Sequence, residues 1–436
     1  MAPTIAADRG GDGAAPRHPA GAAVGGAVPF HRSEAAVGGA VPYNRSEAPV
    51  TGGARDCILL VLNLGSSSLK AASYALPADR EDAAPDVGGG GARETGRGSA
   101  EPGHDPSATL DDTAGRLLAE IAAQLPSLHD APDVVAHRIV HGGDRSGPVE
   151  LTTAAQDALA RLSSLAPLHQ PPALALVRAA IARWPAARQV GLFDTSWHRT
   201  MPPLHRVLPI DHALYARGVK RYGFHGLAFQ SAMRQLGQCA PELARSRIVL
   251  AHLGGGSSLC AVRDGAAVNT TMGMTPLGGI PMATRCGSLD PGVVLHLQRE
   301  LGLSPDAIDR LLWRDSGLKG LSGESGDMRV LLASGSAGAQ RAVDVYVSGI
   351  VQGIAAMAAC IGGIDALVFS GGIGAHAALV RERVVTGLEW LGLGIDPGLN
   401  QSGAVAIGSA VATVRTFVLA IDEAGEMARM VADARL

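Results

Sequence analysis

The chain has 436 residues, of which 47% are hydrophobic, 18% charged and only 3% aromatic, and its formal net charge is −3. This length predicts two or three domains with sizeable cores, and the lack of a long basic run argues against nucleic-acid binding. Five scattered cysteines without a CxxC pair favour a reducing compartment and argue against a structural zinc site. The N-terminal residues lack the basic start and apolar core of a secretory signal, so we do not expect one.

The first 54 residues are rich in Gly, Ala and Pro and contain a tandem repeat. VGGAVPFHRSEAA begins at Val24 and VGGAVPYNRSEAP begins at Val37. Two copies are too few to bury a solenoid core, so this composition predicts a disordered tail at residues 1–54. Either a partner-binding arm or duplicated filler explains the repeat.

From Cys57 onward the chain alternates strand and helix patterns. CILLVLN predicts a buried strand that turns through GSSS into a second strand, SLKAASYAL. Residues 77–107 predict a flexible insertion, and a helix follows with Ser107 as its candidate cap. A strand at residues 133–140, helices at 152–165 and 172–183, and a strand that ends at Asp194 complete the first half.

The second half repeats this order, since the strand IVLAHL runs into a glycine turn and a hairpin. Helices and the strand ALVFS follow, and the apolar stretch at 345–361 predicts a buried helix, too short to span a bilayer comfortably. Two such halves predict a duplicated α/β architecture with a cleft. The predicted domains are residues 55–197 together with a C-terminal helix at 424–436, and residues 198–423.

Three glycine-rich turns follow predicted strands, at residues 63–70, 252–258 and 370–376. Small residues at such turns expose backbone N–H groups that can hold an anion. The first turn is not a Walker A loop, because GxxxxGK[ST] is absent, and alone it is best explained as an ordinary hairpin. Three turns at strand ends together favour a nucleotide polyphosphate.

Several charged or titratable residues lie beside glycines or at strand ends. Arg138 suits bidentate capture of a carboxylate or phosphate, although a salt bridge explains it equally well. A helix cap, a core histidine and a surface ion pair are the alternatives for Asp194, His225 and Arg285. Taken together, these residues supply the cations and the carboxylate that phosphoryl transfer requires. A metal site at His137 and His141 is disfavoured because a third ligand is missing.

The motifs NLGSSSLK, HRIVHGG, APLHQPP, FDTSWHRTMPP, RYGFHG, HLGGGSS, TMGMTPL, TRCGSLDPG, DMR and SGGIG occur in this order within residues 57–430. In order and spacing the set resembles the acetate kinases. This resemblance implies two ribonuclease H-like domains, as in sugar kinases, Hsp70 and actin, that close on ATP. It also implies a cytoplasmic homodimer that transfers a phosphoryl group in line between ATP and acetate, with Mg²⁺ or Mn²⁺, to give acetyl phosphate and ADP.

The resemblance implies a role for each matching residue. Asn63 and Glu423 would hold the metal ion. The acid would be bound by Arg138 and by the apolar residues Val140, Leu168, Phe224 and Pro276. The catalytic residues would be Asp194, His225, Arg285 and Arg138. The nucleotide would be bound by Lys70, Ser66, Ser68, His252, Leu253, Gly254, Gly255, Gly256, Asp327, Met328, Arg329, Gly372, Ile373, Gly374, Ala375 and His376.

An acid substrate is already ionised at neutral pH and needs no general base, so Asp194 is expected to orient groups or to act near the metal. Some positions differ from the family pattern, with a smaller or uncharged residue in place of a polar or charged one: Gly255, Asn269, Gly278, Ser288 and Ala375. In addition, Gln170 stands where the family has Asn. Each lost buried hydrogen bond would cost about 1–3 kcal/mol. The alternatives are a propionate or butyrate kinase and a nucleotide-binding regulatory homologue with weakened catalysis.

Overall fold

The computed structural model describes residues 55–65, 68–77, 91–103, 107–128 and 130–435. The predicted tail at residues 1–54 and the predicted phosphate-binding Ser66 lie outside these ranges. Within them the chain forms two sheets with helices on both faces.

The first sheet contains six strands in the described part of the chain: β1 Cys57–Leu64, β2 Leu69–Leu76, β3 Arg93–Ala100, β4 Val134–Ile139, β5 Val149–Glu150 and β6 Arg188–Phe193. Its strand order is β3-β2-β1-β4-β6-β5. The first three strands pair antiparallel, whereas β1, β4 and β6 run parallel. Three helices lie between these strands: α1 Leu110–Gln124, α2 Thr153–Ala160 and α3 Gln170–Arg183.

The second sheet has the order β11-β10-β7-β8-β9 and repeats the plan of the first. Its strands are β7 Arg247–Leu253, β8 Ser257–Arg263, β9 Ala266–Thr270, β10 Ala366–Ser370 and β11 Arg415–Val418. In both sheets a three-stranded antiparallel meander continues into two parallel strands on the other side of its first strand. The predicted duplicated α/β architecture is therefore confirmed, while the predicted domain limits stay a prediction.

The remaining helices surround the second sheet or connect the two sheets. They are α4 Pro203–Arg206, α5 Ala213–Ala216, α6 Gly226–Cys239, α7 Pro291–Arg299, α8 Pro305–Arg314, α9 Gly317–Ser322, α10 Met328–Ala333, α11 Ala337–Cys360, α12 Gly371–His376, α13 Ala378–Thr386, α14 Pro397–Ser402 and α15 Glu423–Asp433. Short 3₁₀ turns occupy Pro126–Leu128, Ser163–Leu165, Ser196–Thr200, Pro241–Leu243 and Glu389–Leu391.

Both faces of each sheet are apolar and covered by helices. In β1, Leu60 and Leu62 pack with α1 and α3, while Leu59 and Val61 pack with α15. This split follows from the alternation of side chains along a strand. In the second sheet, α11 covers one face and α6 covers the other. Since α6 and α15 also contact each other, the two faces that they cover point toward a common interior.

The apolar stretch at 345–361 belongs to the 24-residue helix α11. By length and composition α11 could cross a membrane, so the prediction that it is too short for a bilayer was wrong. The prediction of a packed helix agrees with the structure, because one face of α11 lies in the core beside β7 and β8. This packing accounts for its apolar composition.

Two local predictions need correction. The cap of α1 is Thr109 rather than Ser107, because Thr109 forms a reciprocal capping box with Asp112. The predicted flexible insertion contains the edge strand β3, whose polar residues pair with β2. The side-chain amide of Gln124 in α1 bonds the backbone N–H and the carbonyl of Ser99, both at 2.9 Å. These two bonds satisfy hydrogen-bonding groups of the exposed edge strand.

Candidate active site

The predicted acid-binding and metal-binding residues of the first sheet lie together because of strand parity. Asn63, Arg138 and Asp194 lie at the carboxyl ends of the parallel strands β1, β4 and β6. Each continues the alternate set of residues that packs on α15. Glu423 is the first residue of α15. Four polar side chains from distant parts of the sequence therefore meet at one edge of the sheet.

Arg138 is the centre of this group. Its Nε and Nη2 donate to the two carboxylate oxygens of Asp194 at 2.9 and 2.7 Å. Its Nη1 donates to Asn63 Oδ1 at 3.0 Å and to Glu423 Oε2 at 3.1 Å. Asn63 Nδ2 also donates to Glu423 Oε2 at 2.5 Å. The salt bridge that sequence reasoning held open as an alternative for Arg138 is thus present, within the same cleft.

The environment shifts the two carboxylates in opposite directions. Burial raises the pKa of Asp194, and the bidentate contact with Arg138 opposes that rise. Burial also acts to raise the pKa of Glu423, but Arg138, His252 and Asn63 outweigh it and the pKa lies below its usual value. Arg138 stabilises the ionised form of both carboxylates.

The same parity rule gathers polar residues at the edge of the second sheet. His252 on β7, Ser258 on β8 and Ser370 on β10 continue the residue set that packs on α6. His225, immediately before α6, lies over them, with its ring centroid 4.8 Å from that of His252. His225 Nδ1 lies 2.9 Å from Ser258 Oγ, and His252 Nδ1 lies 3.2 Å from Ser370 Oγ.

The backbone around His225 is unusually constrained. His225 has a φ of 58°, a left-handed conformation that residues other than glycine adopt rarely. The next residue, Gly226, donates its backbone N–H to the carbonyl of Asp194 at 2.8 Å. A Cβ on Gly226 would lie only 2.2 Å from that carbonyl oxygen, so glycine is required there. This contact joins the start of α6 to the end of β6 and sets His225 beside the Asp194 segment.

Arg285 is a buried cation on the side of the second sheet. It is 8% exposed, and its Nη1 donates to the Pro276 carbonyl at 2.7 Å. In the described ranges no carboxylate lies within ion-pair distance of it. Burial lowers the pKa of Arg285 to about 10. The surface-pair alternative for Arg285 therefore does not apply, and the remaining donors of the guanidinium are available to an anion in the cleft.

These groups line one cleft of about 1010 Å³. Of the predicted site residues, the lining includes Asn63, Lys70, Arg138, Val140, Asp194, Phe224, His225, His252, Gly254, Gly255, Gly256, Pro276, Arg285, Gly372, Ala375, His376 and Glu423. The three glycine-rich segments thus supply walls of the same space.

Other predicted residues do not line this cleft. Leu253 points into the core of the second sheet, where Ile373 also packs. Asp327 caps α10 and pairs with Arg329 at 2.5 Å, while Met328 is buried in the same core. Ser68, Gly374 and Leu168 also lie outside the lining.

The apolar residues predicted for the acid divide between two spaces. Val140 and Phe224 are buried together with Ala166 and two methionines, and they line the cleft beside Pro276. Leu168 instead lines an adjoining, mainly apolar cavity of about 150 Å³. His169 borders both spaces, as do Leu64 and Gly65, so the charged cleft and the apolar cavity share a wall.

Sequence reasoning missed His169, although it lies in the motif APLHQPP. Its Nδ1 is buried without a hydrogen-bond partner among the described residues. Burial lowers the pKa of His169 to about 3, and the charges of Arg285 and Arg138 add to this effect. The histidine in that motif was the signal that could have found this buried imidazole.

Arg381 was also missed, because it lies outside the motifs. It is almost fully buried and donates to the carbonyls of Gly374 and Ala375 at 2.9 and 2.8 Å. It also bonds the side chain and backbone of Asn400 at 2.7 Å. Arg381 therefore fixes the end of α12, where Ala375 and His376 line the cleft.

The departures from the family pattern have different local consequences. A Cβ on Gly255 would meet nothing within 4 Å, so this position is open rather than packed. Ser288 accepts a hydrogen bond from the Gly279 backbone N–H at 3.2 Å. Gln170, which stands where the family has Asn, is buried and bonds both backbone groups of His141 at 3.2 and 2.9 Å. At Gln170 the longer amide satisfies its buried polar atoms.

Comparison with known proteins agrees with this architecture. Residues 58–429 match the model of the acetokinase family. The acetate kinase of Methylocella silvestris is 42% identical over 393 residues, which are 85% of this chain and 96% of that protein. The acetate kinase of Rhizobium meliloti is 40% identical over 382 residues, which are 85% of this chain and 96% of that protein.

Solved structures agree as well. The acetate kinase of Porphyromonas gingivalis is similar with a TM-score of 0.72 and 30% identity, over 86% of this chain and 99% of that one. A propionate kinase of Francisella tularensis is similar with a TM-score of 0.74 and 28% identity, over 86% and 98%. The predicted fold class is thereby confirmed, and the chain belongs to the acetokinase family.

Proposed function

We propose that this protein is an acetate kinase, which transfers a phosphoryl group reversibly between ATP and acetate to give acetyl phosphate and ADP. The observation that carries the proposal is the buried Arg285, which has no counter-ion among the described residues and lies beside His225 and Gly256 in a cleft that also holds Arg138. A cation held out of water without a partner favours binding of an anion that arrives with the substrate.

The acid is assigned to the side of Arg138. Its carboxylate would be bound by Arg138, and its methyl group would lie against Val140, Phe224 and Pro276. Leu168, which lines the adjoining cavity, would complete the apolar pocket. Asp194 holds the Arg138 guanidinium by two hydrogen bonds, so it is an orienting group rather than a general base.

The nucleotide is assigned to the side of the second sheet. Its phosphates would lie along the loop 254–256 and the exposed residues of α12, with Lys70 from the opposite hairpin. His225 and Arg285 would donate hydrogen bonds to the oxygens of the transferred group. Direct in-line transfer requires only that these groups position two anions and neutralise their repulsion.

A divalent cation fits the oxygen atoms at the first edge. Asn63 Oδ1 and the Glu423 carboxylate lie together, both within 3.1 Å of Arg138 Nη1, and hard oxygen ligands suit Mg²⁺ or Mn²⁺. The other ligands of such an ion would be phosphate oxygens and waters. Bound there, Mg²⁺ would neutralise phosphate charge.

A longer acid is the second candidate substrate. The apolar cavity of about 150 Å³ next to Leu168 offers space beyond the methyl site, and a propionate kinase is among the similar structures. An added methylene changes discrimination by only about 1–3 kcal/mol. Propionate or butyrate would therefore use the same charged groups and differ only in the apolar contacts.

The test is acyl phosphate formation, trapped as hydroxamate, with ATP, Mg²⁺ and acids of two, three or four carbons. We expect the highest kcat/KM with acetate and loss of product when the metal is chelated. If no hydroxamate formed with any of the three acids, the kinase assignment would be rejected in favour of a regulatory homologue. A maximum at three or four carbons would reject acetate as the preferred substrate.

We also infer a cytoplasmic homodimer. The family resemblance supports it, and so does α7, a fully described helix without a buried residue that carries the exposed Val293 and Leu295. Such an uncovered apolar helix suits an interface between copies. Light scattering at micromolar concentration tests the dimer, and a monomeric mass would reject it.

A further inference from the structure

Ser258 is a fully buried residue of β8 whose hydroxyl has a single hydrogen-bond partner in the described part of the chain. That partner is His225 Nδ1, at 2.9 Å. A buried hydroxyl can donate one hydrogen and accept from others. Because water does not reach this group, its hydrogen must be directed at the one acceptor available, or it remains without a partner.

The other nitrogen of the imidazole faces the reaction space. A Cβ built on Gly256 would lie 3.1 Å from His225 Nε2 and 2.9 Å from Arg285 Nη2. These two nitrogens therefore flank the same bare stretch of backbone in the cleft. Glycine at position 256 keeps that volume open for an oxygen-bearing group from a substrate.

The ring is neutral at physiological pH. Burial holds the pKa of His225 well below its usual value, and the nearby His252, Arg138 and Arg285 contribute to this shift. A neutral imidazole has one N–H and one lone pair, and the hydrogen bond at one nitrogen determines which is presented by the other. Protonation of Nδ1 would direct the Nε2 lone pair at a phosphoryl oxygen, which is repulsive.

We propose that Ser258 is a positioning residue that donates its hydroxyl hydrogen to His225 Nδ1 and thereby holds the imidazole in the tautomer that presents Nε2–H to the transferred phosphoryl group. This inference rests on the proposed function for the identity of the acceptor. Both nitrogens of the ring favour the same arrangement. Nδ1 accepts the hydrogen bond from the Ser258 hydroxyl, and Nε2–H donates to the phosphoryl oxygen.

A second serine–histidine contact provides a comparison within the same cleft. His252 Nδ1 lies 3.2 Å from Ser370 Oγ, so this contact is longer than the one at His225. Ser370→Ala removes a buried hydroxyl that contacts His252 rather than His225, and the ring centroids of the two histidines are 4.8 Å apart. It is therefore expected to leave the tautomer of His225 unchanged.

The first experiment reads the tautomer directly. In the full-length enzyme labelled with ¹⁵N-histidine, ¹H–¹⁵N correlation spectra distinguish a protonated Nε2 from a protonated Nδ1, and His225→Gln identifies the signal. We expect Nε2 to carry the proton in the wild type and in Ser370→Ala. A proton on Nδ1 of the wild type would overturn the proposal. This readout does not depend on turnover, so it stays decisive even if no acid is phosphorylated.

The second experiment measures hydroxamate kinetics. In Ser258→Ala we expect kcat to fall on the order of tenfold to a hundredfold with both KM values within about twofold, because the contact acts in the transition state. Ser258→Thr keeps the hydroxyl and should recover most of kcat. An unchanged kcat in Ser258→Ala would overturn the proposal.

A matched control separates this effect from the loss of any buried serine. Ser73 on β2 is also fully buried and accepts hydrogen bonds from the hydroxyls of Thr95 and Ser127 at 2.9 and 2.7 Å. It does not line the cleft. Ser73→Ala should resemble Ser258→Ala in melting temperature but keep wild-type kcat. Equal loss of kcat in both variants would mean that Ser258 is merely structural.

Discussion

The two sides of the cleft arrange charge in different ways. On the side of the first sheet, the Arg138 guanidinium is matched by the carboxylates of Asp194 and Glu423. On the side of the second sheet, Arg285 donates only to the carbonyl of Pro276 among the described residues. There the neighbouring His225 is neutral, because burial lowers its pKa.

This difference indicates when each side acquires its partner. The charges around Arg138 are balanced during folding, so that side contributes to stability and holds a fixed geometry. The charge on Arg285 has no counter-ion among the described residues, so its burial costs free energy. An incoming anion can offset this cost by pairing with the guanidinium. A cleft of this kind binds a polyanion and stabilises charge that develops during transfer. Substitutions of the two arginines should therefore both lower activity but differ in their effect on stability.

Arg285→Met has the largest expected effect on activity. It removes a guanidinium from the transferred group while keeping similar volume, so we expect kcat/KM to fall about 10³-fold or more. Melting temperature should stay equal or rise, because a buried charge without a counter-ion is lost. Hydroxamate kinetics and thermal denaturation check both halves. A melting temperature several degrees below wild type would mean that Arg285 is structural.

Arg138→Met should reduce both activity and stability. Removing the guanidinium leaves two buried carboxylates unmatched, which costs about 3–5 kcal/mol in the free energy of unfolding. Adding Asp194→Asn should restore part of the stability but not the activity. Urea denaturation measures the first effect.

The control for Arg138 is Arg178→Met, which breaks an exposed ion pair with Asp111. We expect a change within about 0.5 kcal/mol there. If Arg138→Met were no more destabilising than this control, the contrast between the two sides of the cleft would fail.

The stability of the second side should depend on pH through His252. Burial lowers the pKa of His252 to about 4, against 6.5 for an unperturbed histidine. Between these values the unfolded chain binds a proton that the folded protein excludes, so stability is complete above pH 6.5 and falls as the pH drops toward 4. We expect a loss of about 1–2 kcal/mol from this group between pH 7 and pH 5.

His252→Gln tests this dependence, since an amide can still bond Ser370 but does not titrate. The variant should lose less stability than the wild type between pH 7 and pH 5 in urea denaturation. Several other buried histidines contribute to the total, so the comparison is the difference between the two proteins. Equal losses would show that His252 does not carry the effect.

Sequence patterns predicted much of the fold because its strands are strongly apolar and end in glycine turns. The alternation along β1 and β4 was sufficient, in principle, to place Asn63 and Arg138 on one face. It could not supply Glu423, which is 360 residues from Asn63 and 285 from Arg138. Such a pairing depends on how α15 returns to the first sheet, which no local pattern encodes.

The errors have local physical causes. The strand β3 is polar and glycine-rich because it lies at an exposed edge, where its composition is that of a loop. Arg381 is surrounded by carbonyl groups rather than carboxylates, so no charged partner in the sequence marks it. The contact between Ser258 and His225 joins a strand to a helix start, and only their packing reveals it.

The smallest expected effect concerns Gly255 in the phosphate loop. Its φ lies outside the left-handed region, and a Cβ there would meet nothing within 4 Å, so Gly255→Asn should fold without strain. The amide would add one hydrogen-bonding group to the cleft, which the family pattern has at this position. We expect KM for ATP to fall about twofold to tenfold with little change in kcat. Hydroxamate kinetics at varied ATP concentration measure this.

The adjacent glycine is the matched control. A Cβ on Gly256 would lie 2.9 Å from Arg285 and 3.1 Å from His225, so Gly256→Ala should displace the groups on the unbalanced side and lower kcat. Opposite results at neighbouring glycines would mean that position 255 is free for a nucleotide contact, whereas position 256 is kept empty for the transferred group. An unchanged KM in Gly255→Asn would mean that the nucleotide does not approach this loop through residue 255.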